Sequence, residues 1–247
     1  MKSINTILLS AVLLTGTAYA YAMPAATVKV SDAANEVQDR HLSGFNAVEI
    51  EGSVDVYIVQ GQSESVKVEA PSEMIDHIIT EVNGSTLRIR DKNSSGWHWG
   101  NWGNHKKVAV YVSIREVHEI GITGSGDVYF KDGITANNLR IRVSGSGDVL
   151  GKVEAKNLDC SISGSGDMKL VGRADQQNIS VSGSGDYSAR GLATQNTAVH
   201  VSGSGDANIN VSGNLEAAVS GSGDVTYTGG AQHVMKSKSG SGDISGN

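Results

Sequence analysis

The sequence predicts an all-β solenoid: a stack of parallel β rungs, a parallel β-helix with about 19 residues per rung. Three observations carry this. The tetrapeptide Gly-Ser-Gly-Asp occurs seven times, starting at Gly124, Gly145, Gly164, Gly183, Gly203, Gly221 and Gly240, with spacings of 21, 19, 19, 20, 18 and 19 residues. Residues rich in Val and Ile alternate with polar residues on both sides of each motif, which is the period of a half-buried strand. Glycine makes up 31 of the 247 residues, nearly twice the usual ~7%. With only 2 Pro, this glycine is neither collagen-like nor the signature of a disordered chain.

Residues 1–22 read as a signal peptide. Lys2 supplies the positive start, Ile7 to Leu14 a short apolar run, and Ala18-Tyr19-Ala20 and Ala20-Tyr21-Ala22 two overlapping cleavage sites. The run is short for a membrane span of ~20 residues. No Cys follows it, which argues against a lipoprotein anchor. Cleavage removes only Lys2 among the charges and leaves 19 basic against 26 acidic residues. No integral membrane segment is expected after cleavage. Residues 23–43 are read as an N-terminal leader and 44–247 as one β-solenoid domain.

The first half of that domain is less regular. Val48 to Ile50, Val54 to Val59, Val66 to Glu69, Leu87 to Arg90 and Val108 to Ile114 alternate as short strands. Pro71-Ser72, Gly61-Gln62 and Asn83-Gly84 mark turns. Ser72 to Thr80 pairs Met74 and Ile75 with Ile78 and Ile79, the spacing of a helix of one or two turns. Gly52-Ser53-Val54-Asp55 looks like an eroded copy of the repeat.

In the ladder, the positions four and two before each first glycine read Ile120, Ile141, Cys160, Ile179, Val199, Ala217, Lys236 and Ile122, Val143, Ile162, Val181, Val201, Val219, Lys238. Equivalent residues stack in columns about 4.8 Å apart. Cys160 fills an aliphatic slot, so it is expected to be a core residue, a small hydrophobe with a thiol. A corner between two strands needs φ > 0 or close backbone approach, and glycine permits both. Parity places both corner glycines inward, where adjacent corners are expected to press together. It turns Ser125 and Asp127, with their repeats, outward. Lys236 and Lys238 break two apolar columns in the last rung alone, as expected of lysines that guard an open edge; a local register slip is the alternative.

Leu42-Ser43-Gly44-Phe45-Asn46-Ala47-Val48, Gln60-Gly61, Asn83-Gly84-Ser85-Thr86-Leu87 and the Ser-Gly-Ser-Gly-Asp ladder together resemble the bacterial "putative auto-transporter adhesin, head GIN domain" family, over roughly Phe45 to Asn247. The resemblance implies a right-handed parallel β-helix exported to the periplasm, the cell envelope or the extracellular side. It transfers no catalytic residues.

The chemistry-bearing residues point the same way. The chain is acidic, with a formal charge of −6, so a nucleic-acid partner, which needs clustered Lys and Arg, is not expected. One Cys gives no disulfide framework. The seven His form no zinc spacing, no cofactor motif is present, and no Gly-x-Ser-x-Gly stands on a strand-to-helix turn. A repeated Asp serves a repeated need, whereas a polysaccharide-cleaving β-helix would need a singular cluster of acids. The expected function is therefore a non-catalytic surface or envelope interaction module whose partner is an envelope component or a glycan. A polysaccharide-active enzyme and a calcium-stabilised structural protein are the alternatives.

Two sets of residues are candidates for function. All three tryptophans lie in Ser94 to His105; Trp97, His98, Trp99, Trp102 and His105 form a candidate recognition loop, since exposed Trp suits sugar rings and apolar surfaces. The same residues could instead fold back and cover the N-terminal turns. The second set is the corner column Asp127, Asp148, Asp167, Asp186, Asp206, Asp224 and Asp243, expected to be structural. Stacked carboxylates ~5 Å apart repel by about 1 kcal/mol per neighbour in water and about 3 at a dielectric of 20. Hydrogen bonds from corner N–H groups or a bound cation must offset that.

Overall fold

Each regular turn consists of one long strand and one four-residue corner. The computed structural model describes residues 35–92 and 108–247; the expected signal peptide and the tryptophan segment lie outside them. β9 (Val128–Gly145), β10 (Val149–Gly164), β11 (Met168–Gly183), β12 (Tyr187–Gly203) and β13 (Ala207–Gly221) pair in parallel in this order. The last turns are split into β14 (Val225–Thr228), β15 (His233–Gly240) and β16 (Ile244–Gly246). The result is a β-solenoid of about 7 turns with about 19 residues per turn, as the repeat predicts. Register holds across the corners, with Gly145, Gly164, Gly183 and Gly203 in successive partnership.

The interior is filled by the predicted columns. Val128, Val149, Met168, Tyr187, Ala207 and Val225 all lie inside. Bulk is compensated between rungs, as close packing demands. Beside the Phe130 ring the next turn carries Gly151, where a Cβ would lie 1.9 Å from the ring. Cys160 is buried in the aliphatic slot assigned to it.

The corner glycines meet the two needs expected of such a corner, positive φ and close backbone approach, and the structure gives the close approach its direction. The first glycine of each motif has positive φ, from +113° at Gly240 to +140° at Gly221, which L side chains resist. The second does not. A Cβ on Gly166 would instead sit 2.1 Å from the Gly147 carbonyl oxygen, and the same conflict recurs along the ladder. The crowding thus runs along the stack axis, between one corner's backbone and the next.

The stack continues one turn upward through the eroded copy. β2 (Ala47–Gly52) lies on β8 (Glu119–Gly124), and Gly52 pairs with Gly124 at φ +112°. β3 (Asp55–Gln60) begins on β9, with Val56 opposite Val128. Above that, β6 (Thr86–Asp91) lies parallel on β2 and β7 (Ala109–Ile114) parallel on β3. Beyond them pairing turns antiparallel. β5 (Ile78–Asn83) closes a hairpin on β6, β4 (Ser65–Pro71) pairs with β7, and β1 (Asn35–Asp39) pairs with β4. Within the stretch read as leader, β1 is thus a strand, and Arg40 donates through Nη2 to the Ile75 carbonyl at 2.7 Å.

The helix expected between Ser72 and Thr80 is reduced to one 3-10 turn, Ile75–His77. Its first residue lacks a side-chain cap. The β-branched Ile78, Ile79 and Thr80 enter β5 instead, where such side chains pack well.

Lys236 and Lys238 keep the register of their columns, opposite Ala217 and Val219. No slip has occurred. Lys236 Nζ lies 5.0 Å from the centroid of the Tyr227 ring and donates to the Ile244 carbonyl at 2.9 Å. Lys238 Nζ stands 3.6 Å from Asp243 Oδ1.

Candidate functional site

The corner column is built by backbone geometry. In each motif the N–H groups of Ser and the second Gly both point at the first Gly carbonyl of the turn before, as Ser146 and Gly147 do to Gly124 at 2.8 and 3.2 Å. The next N–H, that of Asp, finds no carbonyl there and takes a carboxylate instead. Asp148 N–H donates to Asp127 Oδ1 at 2.9 Å, Asp167 to Asp148 at 2.8 Å, Asp186 to Asp167 at 2.8 Å and Asp206 to Asp186 at 2.8 Å. Asp224 and Asp243 continue the series at 2.8 and 2.7 Å. It starts at Asp55 in the eroded copy, which accepts from Asp127 at 3.3 Å. One oxygen of every carboxylate but the last is therefore spent on the following turn. The last, Asp243, faces Lys238.

Trp97, His98, Trp99, Trp102 and His105 lie outside the described residues. Their flanks are described and stand on the same column. Asp91 sits over Gly52, with Oδ2 2.6 Å from where a Cβ on Gly52 would be, and Ala109 stands opposite Asp55. The connection between these two strands, Gly-Ser-Gly-Asp in the regular turns, is here the long tryptophan-bearing segment. Burial pushes the Asp91 carboxyl up, and the N–H of Ser53 opposes this.

Two further columns escaped notice in the sequence. Asn138, Asn157, Gln176, Asn196 and Asn214 occupy successive turns, with Asn157 Nδ2 on Asn138 Oδ1 at 2.8 Å and Asn214 Nδ2 on Asn196 Oδ1 at 2.7 Å. Their spacing equals that of the corners, which was the available signal. Tyr57 stacks between Tyr111 and Tyr129 at centroid distances of 5.3 and 5.0 Å. Burial, helped by the hydrogen bond to Asp127 Oδ2, raises the Tyr129 hydroxyl to about 12. Tyr57 alone has a ring on each face; the outer two rings are stacked on one face, and their hydroxyls donate to Glu69 and Asp127.

Inside the stack, Tyr187 reaches across to Cys160 and Gln177. Burial raises the Cys160 thiol to about 12, which leaves it un-ionised and inert at neutral pH. Among the described residues no group of three His, Cys, Asp or Glu is arranged to hold a metal ion, and no helix is long and apolar enough to cross a membrane.

The profile of the family described as "putative auto-transporter adhesin, head GIN domain" matches residues 44–231. The chain belongs to this family. The head GIN domain here is similar to a solved structure titled a "putative adhesin" from Bacteroides fragilis, with a TM-score of 0.80 and 25% identity over 86% of this chain and 97% of that one. It shares its fold with a "putative lipid binding protein" from Parabacteroides distasonis, with a TM-score of 0.70 and 23% identity over 87% of this chain and 98% of that one. A "putative adhesin" from Parabacteroides merdae gives a TM-score of 0.70 at 20% identity over 87% and 97%. No curated protein matches the head GIN chain.

Proposed function

We propose that this head GIN domain is an exported, non-catalytic interaction module of the adhesin type, in which the segment 93–107, inserted between β6 and β7 where the regular turns have a corner, carries recognition. The observation that carries this is the position of Asp91 and Ala109 on the corner column. A connection that is four residues in the regular turns is replaced there by the one segment rich in tryptophan. Membership of the adhesin family and the N-terminal signal sequence support export. The calcium alternative is disfavoured, because Oδ1 of each carboxylate from Asp127 to Asp224 already accepts an N–H and few ligand oxygens remain at each corner.

Pull-down of the mature chain against its own cell-envelope fraction tests this reading. The expected result is specific retention that is lost when Trp97, Trp99 and Trp102 are all changed to Ala, with cooperative unfolding preserved. Loss of the folded state in that variant would make the segment a structural lid and defeat the reading.

A further inference from the structure

The strand that leads into each corner exposes a flat face. Its outward column reads Arg140, Asp159, Asn178, Ala198, Glu216 on successive turns. The amide column borders it on one side. At Ala198 the polar series is interrupted, and two surface depressions of about 510 and 600 Å³ meet there, sharing Asn178, Ala198 and Glu216.

The groups around this notch have hydrogen-bonding capacity to spare. Asn178 spends Nδ2 on Asp159 Oδ1 at 2.8 Å, which leaves its own Oδ1 as an acceptor. Asn196 Oδ1 is taken by Asn214, which leaves Nδ2 as a donor. His200 and Glu216 are exposed and have no ion pair or side-chain hydrogen bond among the described residues. The positive charges nearby are neutralised: Arg140 by Asp159 at 3.6 Å and Arg142 by Glu119. A polyanion would gain little there. Mixed donors and acceptors over a small alanine floor suit the hydroxyls and C–H edge of a sugar instead. Asn178 and Glu216 are two turns apart, about 9.5 Å at ~4.8 Å per turn. Side chains two turns apart can reach hydroxyls on opposite edges of one pyranose ring.

We infer that the notch at Ala198 is a subsite for one neutral hexopyranose unit of a glycan, held by Asn178, Asn196, His200 and Glu216. The inference rests on the chain being a recognition module, but it does not rest on the segment 93–107. With no aromatic platform in the notch, a single unit binds weakly, and affinity grows with glycan valency.

The test is an NMR titration of the full mature chain with maltohexaose, cellohexaose, mannohexaose and N-acetylchitohexaose. At least one should bind, with shifts centred on Ala198. Ala198→Trp, which fills the notch from an outward position, should weaken that binding at least tenfold without lowering the melting temperature. Glu216→Ala should weaken it severalfold, and the triple tryptophan variant should leave it unchanged. No binding by any of the four sugars, equal binding by Ala198→Trp, or a preference for polygalacturonate would overturn the inference. A change of oligomeric state in Ala198→Trp would overturn it too, in favour of a self-interface. Envelope retention lost in the triple variant, with no sugar bound at Ala198 in the unsubstituted chain, would leave the module reading standing and remove only the notch.

Discussion

The two ends of the stack solve the same problem by opposite means. From Gly124 onward every turn repeats one corner and the pairing is parallel, in strands of 15–18 residues from β9 to β13 and in the shorter β14, β15 and β16 after them. Before it, strands of 5–7 residues mix two modes: β2, β3, β6, β7 and β8 stack in parallel, while β5 turns back on β6, β4 on β7 and β1 on β4 in antiparallel pairs. Charge pairs accompany them: Arg88 lies between Glu49 and Glu51, Arg90 meets Glu81, and Arg115 meets Glu64. The Gly44 N–H, and then Arg115, hold the Glu64 carboxyl below its ordinary value. Identical corners are cheap to extend but carry no information about which turn lies on which. Irregular pairing supplies that frame at the start of the stack. At the other end Lys236 and Lys238 interrupt two apolar columns.

The largest expected effect contrasts one substitution in the two regions. Gly166→Ala drives a Cβ to 2.1 Å from the Gly147 carbonyl and should cost about 3 kcal/mol or more in urea unfolding. Gly84→Ala, at φ +63° with no atom within 4 Å, should cost only about 1 kcal/mol of backbone strain. Similar losses at both sites would mean that the axial stack can relax around a methyl group.

Next comes the aspartate column. Asp167→Ala leaves the Asp186 N–H without its acceptor and should cost about 1–3 kcal/mol. Asp167→Asn keeps an acceptor and should be close to neutral. Asp243→Ala, with no turn beyond it, should stay within about 0.5 kcal/mol. EDTA and millimolar calcium should give the same melting temperature. A calcium-dependent rise of many degrees would turn the column into a metal site.

The open end is sharpened by Lys236→Ile combined with Lys238→Val. Stability should change little, but light scattering should grow with protein concentration as ends associate. A variant that stays monomeric at high concentration argues that the lysines do not guard the edge.

The smallest effect at neutral pH belongs to the buried thiol. Its folded pKa of about 12 lies above its ordinary 9.0, so the neutral thiol is favoured by folding. That contribution is fully present below pH 9 and is lost as pH rises from 9 to 12, by up to ~1.4 kcal/mol per unit. Cys160→Val should flatten part of that slope, with Tyr187 retaining its own share above pH 10. An unchanged slope would mean that the thiol ionises freely in the folded state.

The ladder could be read from the chain because its information is columnar. Ile120 to Val199 and Ile122 to Val219 name their neighbours by spacing alone. The Asn138 to Asn214 column was equally periodic, but amides at an exposed position break no hydrophobic pattern and so drew no attention. The N-terminal pairings had no period to betray them. Whether β4 lies against β7 or β3 depends on turn geometry and on partners distant in sequence. The axial role of Gly166 was hidden for another reason: parity along one strand says which face a residue takes, not how near the next strand's carbonyl lies. For the candidate segment, Trp97 to His105 stood out by composition, while the place of its flanks, Asp91 and Ala109, on the corner column came only from the pairing of β6 with β2 and of β7 with β3.

The carboxylate ladder also gives the molecule a direction of growth. Each new turn brings three N–H donors, from Ser, Gly and Asp, to oxygens that the previous turn already holds in place, and offers one carbonyl in return, as Asp148 does to Val128. A finished corner is therefore a template for the turn that follows it in the chain. A polypeptide delivered N-terminus first, from a ribosome or through an export channel, presents its turns in the order in which these templates become available. Its antiparallel start can fold before the first repeat emerges, and the lysines that end the stack arrive last.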